Sequence, residues 1–112
     1  MNAMPHMAEI CRRVVAAYRK AYGDDIEAIY LYGSYARGDF DEDSDIDFAA
    51  IVHGNPLELS KKRDQVWSDT VRMDFELDVI TSPMVINSEI FNEYKHEIGY
   101  YGNIFKEGIR ID

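Results

Sequence analysis

The chain has little of several residue types, and each shortage limits what the protein can be. A single cysteine, Cys11, excludes an intramolecular disulfide, and its place in an apolar helical pattern indicates a small core hydrophobe. No apolar run reaches the roughly 18 to 20 residues that span a bilayer. The N-terminus lacks the basic start and the apolar stretch of a secretion signal. These absences predict a cytoplasmic protein.

Basic residues are also scarce. Lys and Arg number 12 against 21 Asp and Glu, for a formal net charge of -9, which argues against nucleic acid as a partner because a phosphate-backbone footprint needs clustered cations. Three scattered histidines, His6, His53 and His96, give no support for a zinc site. The 46% hydrophobic content over 112 residues predicts a single globular domain at 7–112, preceded by a disordered tail at 1–6.

Hydrophobic spacing divides this domain into helices and strands. We predict, in order, a helix at 8–22, a strand at 26–32, a turn, a strand at 44–52, a helix at 56–72, a strand at 74–80 and C-terminal helices. Gly99 and Gly102 favour two short C-terminal helices over one long helix, because a mid-helix glycine costs roughly 1 kcal/mol. We expect Gly108 to cap the last helix.

This order indicates a small α/β (α+β) fold, with a mixed sheet of about three to four strands flanked by helices. The link between the first two strands is too short for a helical crossover, so we expect these strands to be antiparallel. A parallel crossover through the 56–72 helix is open to the later pair of strands.

The turn between the first two strands is unusually acidic. In GSYARGDFDEDSDID, Gly33 to Asp47, six of the last nine residues are acidic. Asp45 and Asp47 lie two residues apart where a strand begins, so they point to one face at about 6 to 7 Å along the backbone. Such a pair can share Mg²⁺, which usually takes one or two carboxylates together with waters and substrate phosphates. The remaining acids are expected to be solvated turn residues: Asp39, Asp41, Glu42 and Asp43.

A third carboxylate on a neighbouring strand would complete a two-metal site for an in-line displacement. The predicted strand at 74–80 offers Asp74, Glu76 and Asp78 on one face, and periodicity does not choose among them. Asp78 lies deepest in the apolar run, so it is the hardest of the three to explain as a surface residue.

Gly33 and Ser34 supply the other half of a nucleotide site. A glycine directly after a buried strand lets the backbone approach a ligand closely. Ser34 is expected to cap a short helical turn whose free amides favour phosphate oxygens. Arg37 either contacts phosphate or anchors the acidic turn through an ion pair with one of its aspartates. Each signal alone is weak, but their fixed spacing is specific.

The spacing Gly33-Ser34, ten residues, Asp45-Ile46-Asp47 resembles the signature of the DNA polymerase beta-like nucleotidyltransferase superfamily. The stretch GSYARGDFDEDSDIDFAAIV is most similar to its minimal nucleotidyltransferase branch. LDVIT at 77–81 resembles the third-carboxylate strand of that branch, and NIFKEGIRI at 103–111 resembles its C-terminal helix. The resemblance covers nearly the whole chain and implies the polymerase beta-like nucleotidyltransferase fold.

The resemblance implies transfer of a nucleoside monophosphate from a nucleoside triphosphate to a hydroxyl, with release of pyrophosphate. Two Mg²⁺ ions are the implied cofactors, and transfer of AMP from ATP is the leading hypothesis. By this likeness Gly33 and Ser34 would hold the triphosphate, with Arg37 at a motif position. Asp45 and Asp47 would bind the metals, and Asp78 would ligate one metal and help to activate the hydroxyl. The minimal branch also resembles the antitoxin of pairs whose toxin is a helical HEPN-domain ribonuclease, which implies a tyrosine of such a toxin as acceptor.

Two other functions stay open. An acidic cleft would suit a small-molecule nucleotidyltransferase that acts on a cationic aminoglycoside after dimerisation. A non-catalytic nucleotide-binding subunit would instead neutralise its partner by contact through aromatic residues of the C-terminal segment, although such residues are more often core. These aromatics are Phe91, Tyr94, Tyr100, Tyr101 and Phe105.

Overall fold

The computed structural model describes residues 6–112, which form a mixture of helices and strands; residues 1–5 of the predicted tail lie outside it. The helices are α1 (Met7–Tyr22), α2 (Ser34–Arg37), α3 (Pro56–Leu77), α4 (Ser88–Tyr94) and α5 (Tyr100–Glu107). The strands are β1 (Ile26–Tyr32), β2 (Ile46–Val52), β3 (Thr81–Asn87) and β4 (Ile109–Arg110). None of the described helices is long and apolar enough to cross a membrane.

The four strands form one mixed sheet in the order β3-β2-β1-β4. β1 and β2 are antiparallel, with Tyr32 opposite Asp47, and β2 and β3 are parallel, with Asp47 opposite Ser82. The antiparallel pairing of β1 and β2 was predicted, and the parallel crossover through α3 is the arrangement that the sequence left open to the later pair of strands. The fold class is therefore confirmed.

Both faces of the sheet are covered by helices, which explains why β2 is apolar on both sides. Alternate residues of β2, including Phe48, pack with Tyr18 of α1 and Val66 of α3 in one buried cluster. The intervening residues, including Ile51, pack with Phe91 of α4 in a second cluster. A strand buried on both faces reads as a continuous hydrophobic run, so IDFAAIV is the central strand.

The predicted strand at 74–80 is wrong. α3 continues through Leu77, because Met73 extends its buried side by another turn, and the helix ends at Asp78 in the left-handed conformation (φ 54°). The strand begins at Thr81 and includes Ser82-Pro83, the pair expected to end it. Pro83 is tolerated because β3 is an edge strand, where a missing N–H need not break the sheet.

The C-terminal segment forms two short helices, as predicted, but only one of the two glycines separates them. Gly99 precedes α5, whereas Gly102 lies inside it and is buried. A Cβ on Gly102 would overlap the carbonyl oxygen of Glu97, so close packing rather than helix breaking accounts for this glycine. After Gly108 the chain forms β4, which pairs with β1 and was not predicted.

The positions of two isoleucines relative to the core predict different losses of stability when each is replaced by alanine. Ile51 is fully buried on β2, whereas Ile98 is fully exposed before α5. Ile51→Ala should lower the free energy of unfolding by about 2 to 5 kcal/mol, because it removes buried methyl groups and leaves a cavity. Ile98→Ala should change it by less than about 0.5 kcal/mol. Urea unfolding of both variants measures the difference, and equal losses would contradict the assignment of the core.

Candidate functional site

The antiparallel pairing of β1 and β2 places the two halves of the sequence motif against each other. Gly33 directly follows β1, and Asp47 is the second residue of β2. A Cβ built on Gly33 would overlap the Asp47 carboxylate, and Gly33 has a positive φ of 74° with ψ at -154°. Only glycine readily adopts that conformation. The backbone of the turn therefore lies directly against one carboxylate of the predicted pair.

The Asp45–Asp47 pair is in an environment that disfavours two negative charges. Burial raises the pKa of the Asp47 carboxyl, the nearby Asp45 carboxylate raises it further, and the Arg37 guanidinium lowers it. Asp45 is exposed and Asp47 is half-buried. A cation bound between them would relieve this repulsion. Because the donors are hard carboxylate oxygens beside an open surface, the pair fits Mg²⁺.

Arg37 anchors the acidic turn, one of the two roles that the sequence left open for it. Its Nε donates to Oδ2 of Asp39 at 3.2 Å, and its Nη1 donates to Oε2 of Glu107 at 3.3 Å. Glu107, at the end of α5, was not predicted. Sequence spacing carries no signal for this contact, because the two residues are 70 positions apart.

The acidic turn is more ordered than a row of solvated carboxylates. Oδ1 of Asp41 accepts from the backbone N–H of Asp43 at 2.9 Å and from the Ser44 hydroxyl at 3.2 Å. The ring of Tyr35 stacks on that of Phe40, with centroids 4.2 Å apart. Asp41 thus shapes the turn that leads into β2, while Glu42 and Asp43 are exposed, as expected.

The three candidates for the third carboxylate lie at the C-terminal end of α3, and because this end is helical their side chains have different surroundings. Asp74 accepts from both the backbone N–H (3.1 Å) and the hydroxyl (2.8 Å) of Thr81. Glu76 forms an ion pair with Arg13 at 2.8 Å. Asp78 lies beyond the helix and lines a cavity of about 250 Å³ together with Glu42, Asp43, Ser44 and Ile46, where β2 begins.

A third carboxylate does not join the pair in this structure. Over residues 6–112, no group of three or more His, Cys, Asp and Glu side chains is close enough to hold a metal ion. Ser82 of β3 lies opposite Asp47 in the parallel register, so an uncharged hydroxyl residue occupies the neighbouring strand there. The site residues that the structure brings together are Gly33, Asp45 and Asp47. The predicted capping by Ser34 is wrong, because Gly33 is the N-cap of α2 and Ser34 is the first residue of that helix.

Two tyrosines border the site and were not predicted as part of it. Tyr32 is opposite Asp47, and its hydroxyl shares a 3.0 Å hydrogen bond with that of Tyr100 at the start of α5. Burial, the Tyr100 hydroxyl and the Asp47 carboxylate all raise the pKa of Tyr32 far above its usual range. Tyr32 therefore stays protonated and can donate a hydrogen bond at any physiological pH.

Because Gly33 lies against Asp47, replacement by alanine should cost more stability at Gly33 than at Gly38. Gly38 also has a positive φ (85°), but a Cβ there would meet nothing within 4 Å. Gly38→Ala should destabilise the protein by roughly 1 kcal/mol, the cost of a left-handed alanine. Gly33→Ala should cost more, because the methyl group also displaces the Asp47 carboxylate. Thermal unfolding of the two variants compares them, and an equal loss would argue against the Gly33–Asp47 contact.

The raised pKa of Asp47 predicts a pH-dependent effect of Asp47→Asn. Folding disfavours the charged carboxylate, so Asp47 reduces stability above its folded pKa, and this cost disappears below the unfolded value of about 3.9. In the absence of divalent cations, Asp47→Asn should stabilise the protein at neutral pH but not near pH 3. Chemical unfolding across this range measures the effect, with Asp43→Asn as the exposed control. Equal stability of Asp47→Asn and wild type at neutral pH would contradict the prediction.

Comparison with known proteins identifies the fold and the family. Residues 15–111 match the family described as "Polymerase beta, Nucleotidyltransferase". The chain is 32% identical over 79 residues to the candidate protein adenylyltransferase MJ0141 of Methanocaldococcus jannaschii, a match that covers 70% of this chain and 78% of that protein. A second candidate protein adenylyltransferase of that organism, MJ0604, is 30% identical over 97 residues, covering 87% of this chain and 89% of that protein.

Solved structures share the fold at lower identity. The structure of a candidate nucleotidyltransferase from Sulfolobus solfataricus superposes with a TM-score of 0.62 at 16% identity, covering 96% of this chain and 81% of that chain. A mutant of the toxin–antitoxin MntA–HpeT gives a TM-score of 0.56 at 15% identity over 91% of this chain and 72% of that chain. A toxin–antitoxin structure with AMP-PNP gives 0.55 at 16%, with the same two coverages. The resemblance to minimal nucleotidyltransferases is confirmed, and the chain belongs to the polymerase beta nucleotidyltransferase family as a relative of two candidate protein adenylyltransferases.

Proposed function

We propose that this nucleotidyltransferase transfers AMP from ATP to a tyrosine of a partner protein, and that the partner is a helical HEPN-type toxin. The observation that carries the proposal is the Asp45–Asp47 pair held against the Gly33 backbone. Relatives at 30% and 32% identity are candidate protein adenylyltransferases, which supports a protein acceptor. Toxin–antitoxin structures with the same fold support the choice of partner.

The openness of the site also supports a protein acceptor. Asp45 is exposed, and the adjoining cavity is bordered by turn residues rather than enclosed. A tyrosine on the surface of a folded partner can therefore reach the pair without an opening of the core. The exposed acids Glu42 and Asp43 would favour a basic surface around that tyrosine.

In the proposed reaction, the tyrosine oxygen bonds to the α-phosphorus of ATP, the bond from that phosphorus to the β-phosphate bridging oxygen breaks, and pyrophosphate leaves. Asp45 and Asp47 would hold two Mg²⁺ ions with help from the triphosphate oxygens. Bound Mg²⁺ neutralises phosphate charge and stabilises the charge that develops during transfer. Gly33 and Ser34 position the triphosphate through backbone and hydroxyl donors. We assign Asp78 as the group that takes the tyrosine proton.

Labelled ATP tests the transfer directly. The protein is incubated with Mg²⁺, ATP labelled on the α-phosphate and an extract of the source cells, and products are resolved on a denaturing gel and by thin-layer chromatography. We expect label on one protein band. Asp45→Asn and Asp47→Asn should each reduce it by about 100-fold or more, because each removes charge that organises the transferring phosphate. Asp24→Asn changes an exposed carboxylate before β1, at the end of that strand away from Gly33, and should leave the label unchanged.

The labelled band identifies the partner by mass spectrometry, and replacing its modified tyrosine with Phe should abolish labelling. Label found only on a small molecule would favour the small-molecule nucleotidyltransferase instead. A stable partner complex without any label that depends on Asp45 and Asp47 would favour a non-catalytic subunit. Either result would overturn protein adenylylation.

The assignment of Asp78 has its own test, with Asp74 as the matched comparison. Asp78→Asn should slow AMP transfer and leave stability nearly unchanged, because Asp78 lines the cavity beyond the end of α3. Asp74→Ala should lower stability by about 1 to 2 kcal/mol, because it removes two hydrogen bonds to Thr81. Transfer rates and urea unfolding are measured for both variants. A large rate loss with Asp74→Ala at full stability, and no rate loss with Asp78→Asn, would assign the proton-accepting role to Asp74 instead.

A further inference from the structure

A small cavity of about 240 Å³ lies beside the edge strand β3. Met84 and Ile86 of β3 and Leu59 of α3 contribute apolar side chains to its lining. Tyr100 and Tyr101 of α5 contribute aromatic rings. Pockets that enclose a whole drug-sized ligand have roughly 300 to 1,000 Å³. This cavity therefore suits one flat ring system of a larger ligand whose remainder lies outside it.

The cavity lies on the same face of the sheet as the Asp47 carboxylate. Ala49 comes two residues after Asp47 in β2, so the two side chains share a face. Ala49 packs with Met84 and Ile86 in the second buried cluster, and it is opposite Met84 in the register of β2 and β3. Two residues along one strand and one step to the next place the Met84 Cα about 8 Å from the Asp47 Cα. A ribose phosphate can span that gap, so a ligand with its phosphate at the carboxylates can place a ring in the cavity.

Tyr100 connects the cavity with the carboxylate pair. Its side chain lines the cavity, and its hydroxyl shares a 3.0 Å hydrogen bond with that of Tyr32, which is opposite Asp47. The Tyr100 ring also packs edge-on against Tyr32 and Tyr101, with centroids 6.0 Å and 5.4 Å apart. These contacts hold the ring while 48% of the residue stays exposed. A nucleobase can therefore pack on it with little further loss of side-chain entropy.

The backbone of β3 gives the cavity hydrogen-bonding groups. Because β3 is an edge strand, alternate residues direct their N–H and C=O groups away from the sheet. The Thr81 N–H, the first of these, donates to Asp74 at 3.1 Å. The Pro83 carbonyl, the second, accepts from Trp67 at 3.0 Å. The next residue in this alternation is Val85, which lines the cavity. Its N–H and C=O are therefore directed toward a ligand there, side by side on one extended residue.

We propose that this cavity binds the adenine base of ATP and selects it over guanine. The base packs on the Tyr100 ring, as bases stack on aromatic side chains of nucleic-acid-binding proteins, while the ribose and phosphates extend to the carboxylate pair. The 6-amino group of adenine donates to the Val85 carbonyl, and N7 of adenine accepts from the Val85 N–H. Guanine carries two acceptors at that edge, N7 and O6, so its O6 would meet the carbonyl oxygen. This inference rests on the proposed function only in taking a nucleoside triphosphate as the ligand.

Isothermal titration calorimetry with Mg²⁺ and non-hydrolysable nucleotides tests the choice of base without turnover. AMP-PNP should bind the wild type about 10-fold or more tightly than its guanine counterpart GMP-PNP, because guanine loses one hydrogen bond and brings two oxygens together. The 7-deaza form of AMP-PNP lacks the N7 acceptor and should bind about 5-fold more weakly than AMP-PNP. Equal affinities for the adenine and guanine nucleotides would overturn the proposal.

Two pairs of variants test the cavity itself. Tyr100→Ala removes the ring and should weaken AMP-PNP binding about 10-fold. Tyr94→Ala is its matched control, because Tyr94 is 42% exposed on α4 and does not line the cavity. Ser60→Phe places a ring in the cavity from α3 and should weaken binding by about 10-fold or more, since the base and the new side chain cannot share the space. Lys61→Phe changes the neighbouring exposed residue, which does not line the cavity, and should bind as the wild type does. Circular dichroism confirms that the variants are folded.

The outcomes separate this inference from the proposed function. Unchanged AMP-PNP affinity in Ser60→Phe would overturn the base site, and weaker binding of a partner protein by that variant would then assign the cavity to a side chain of the partner. Transfer of label that proceeds equally well from ATP and GTP would also overturn it, while leaving nucleotidyl transfer intact. Nucleotide binding that responds to the variants as expected, without transfer to any protein, would contradict adenylylation and support the base site.

Discussion

The close approach of Gly33 to Asp47 is the constraint on which the rest of the site depends. It requires β1 and β2 to pair antiparallel in the register that sets Tyr32 opposite Asp47. It also requires a backbone conformation that glycine adopts at little cost. The buried central strand fixes the register, because a one-residue slip would turn Phe48 and its neighbours to the wrong face. Core packing and site geometry are thus specified by the same strand.

The sequence predicts this half of the molecule well because its signals are local. The glycine turn, the acidic pair and the apolar run of β2 lie within twenty consecutive residues. The region after α3 was harder to predict, because DFELDVI alternates as a strand would, yet its first four residues complete a helix. The burial of Met73 decides the outcome, and it depends on packing against elements far away in sequence.

Contacts at the site between residues far apart in sequence were equally hard to predict. Glu107 reaches Arg37 and Tyr100 reaches Tyr32 because α5 returns across the sheet, and neither contact leaves a pattern in the sequence. Similarly, the role of Asp74 depends on Thr81, seven residues later and on another element. Short-range motifs therefore predicted the carboxylate pair, whereas the residues that surround it required the assembled fold.

The position of Trp67 allows conformational changes of the protein to be followed by its intrinsic fluorescence. It is the single tryptophan of the chain, and its indole joins α3 to the edge strand through Pro83 while it remains partly open to solvent. Its emission therefore responds to changes in the polarity of one small region without interference from other indoles. Events that cover the outer side of α3, or that shift β3 relative to it, can be followed by fluorescence in the unlabelled native sequence.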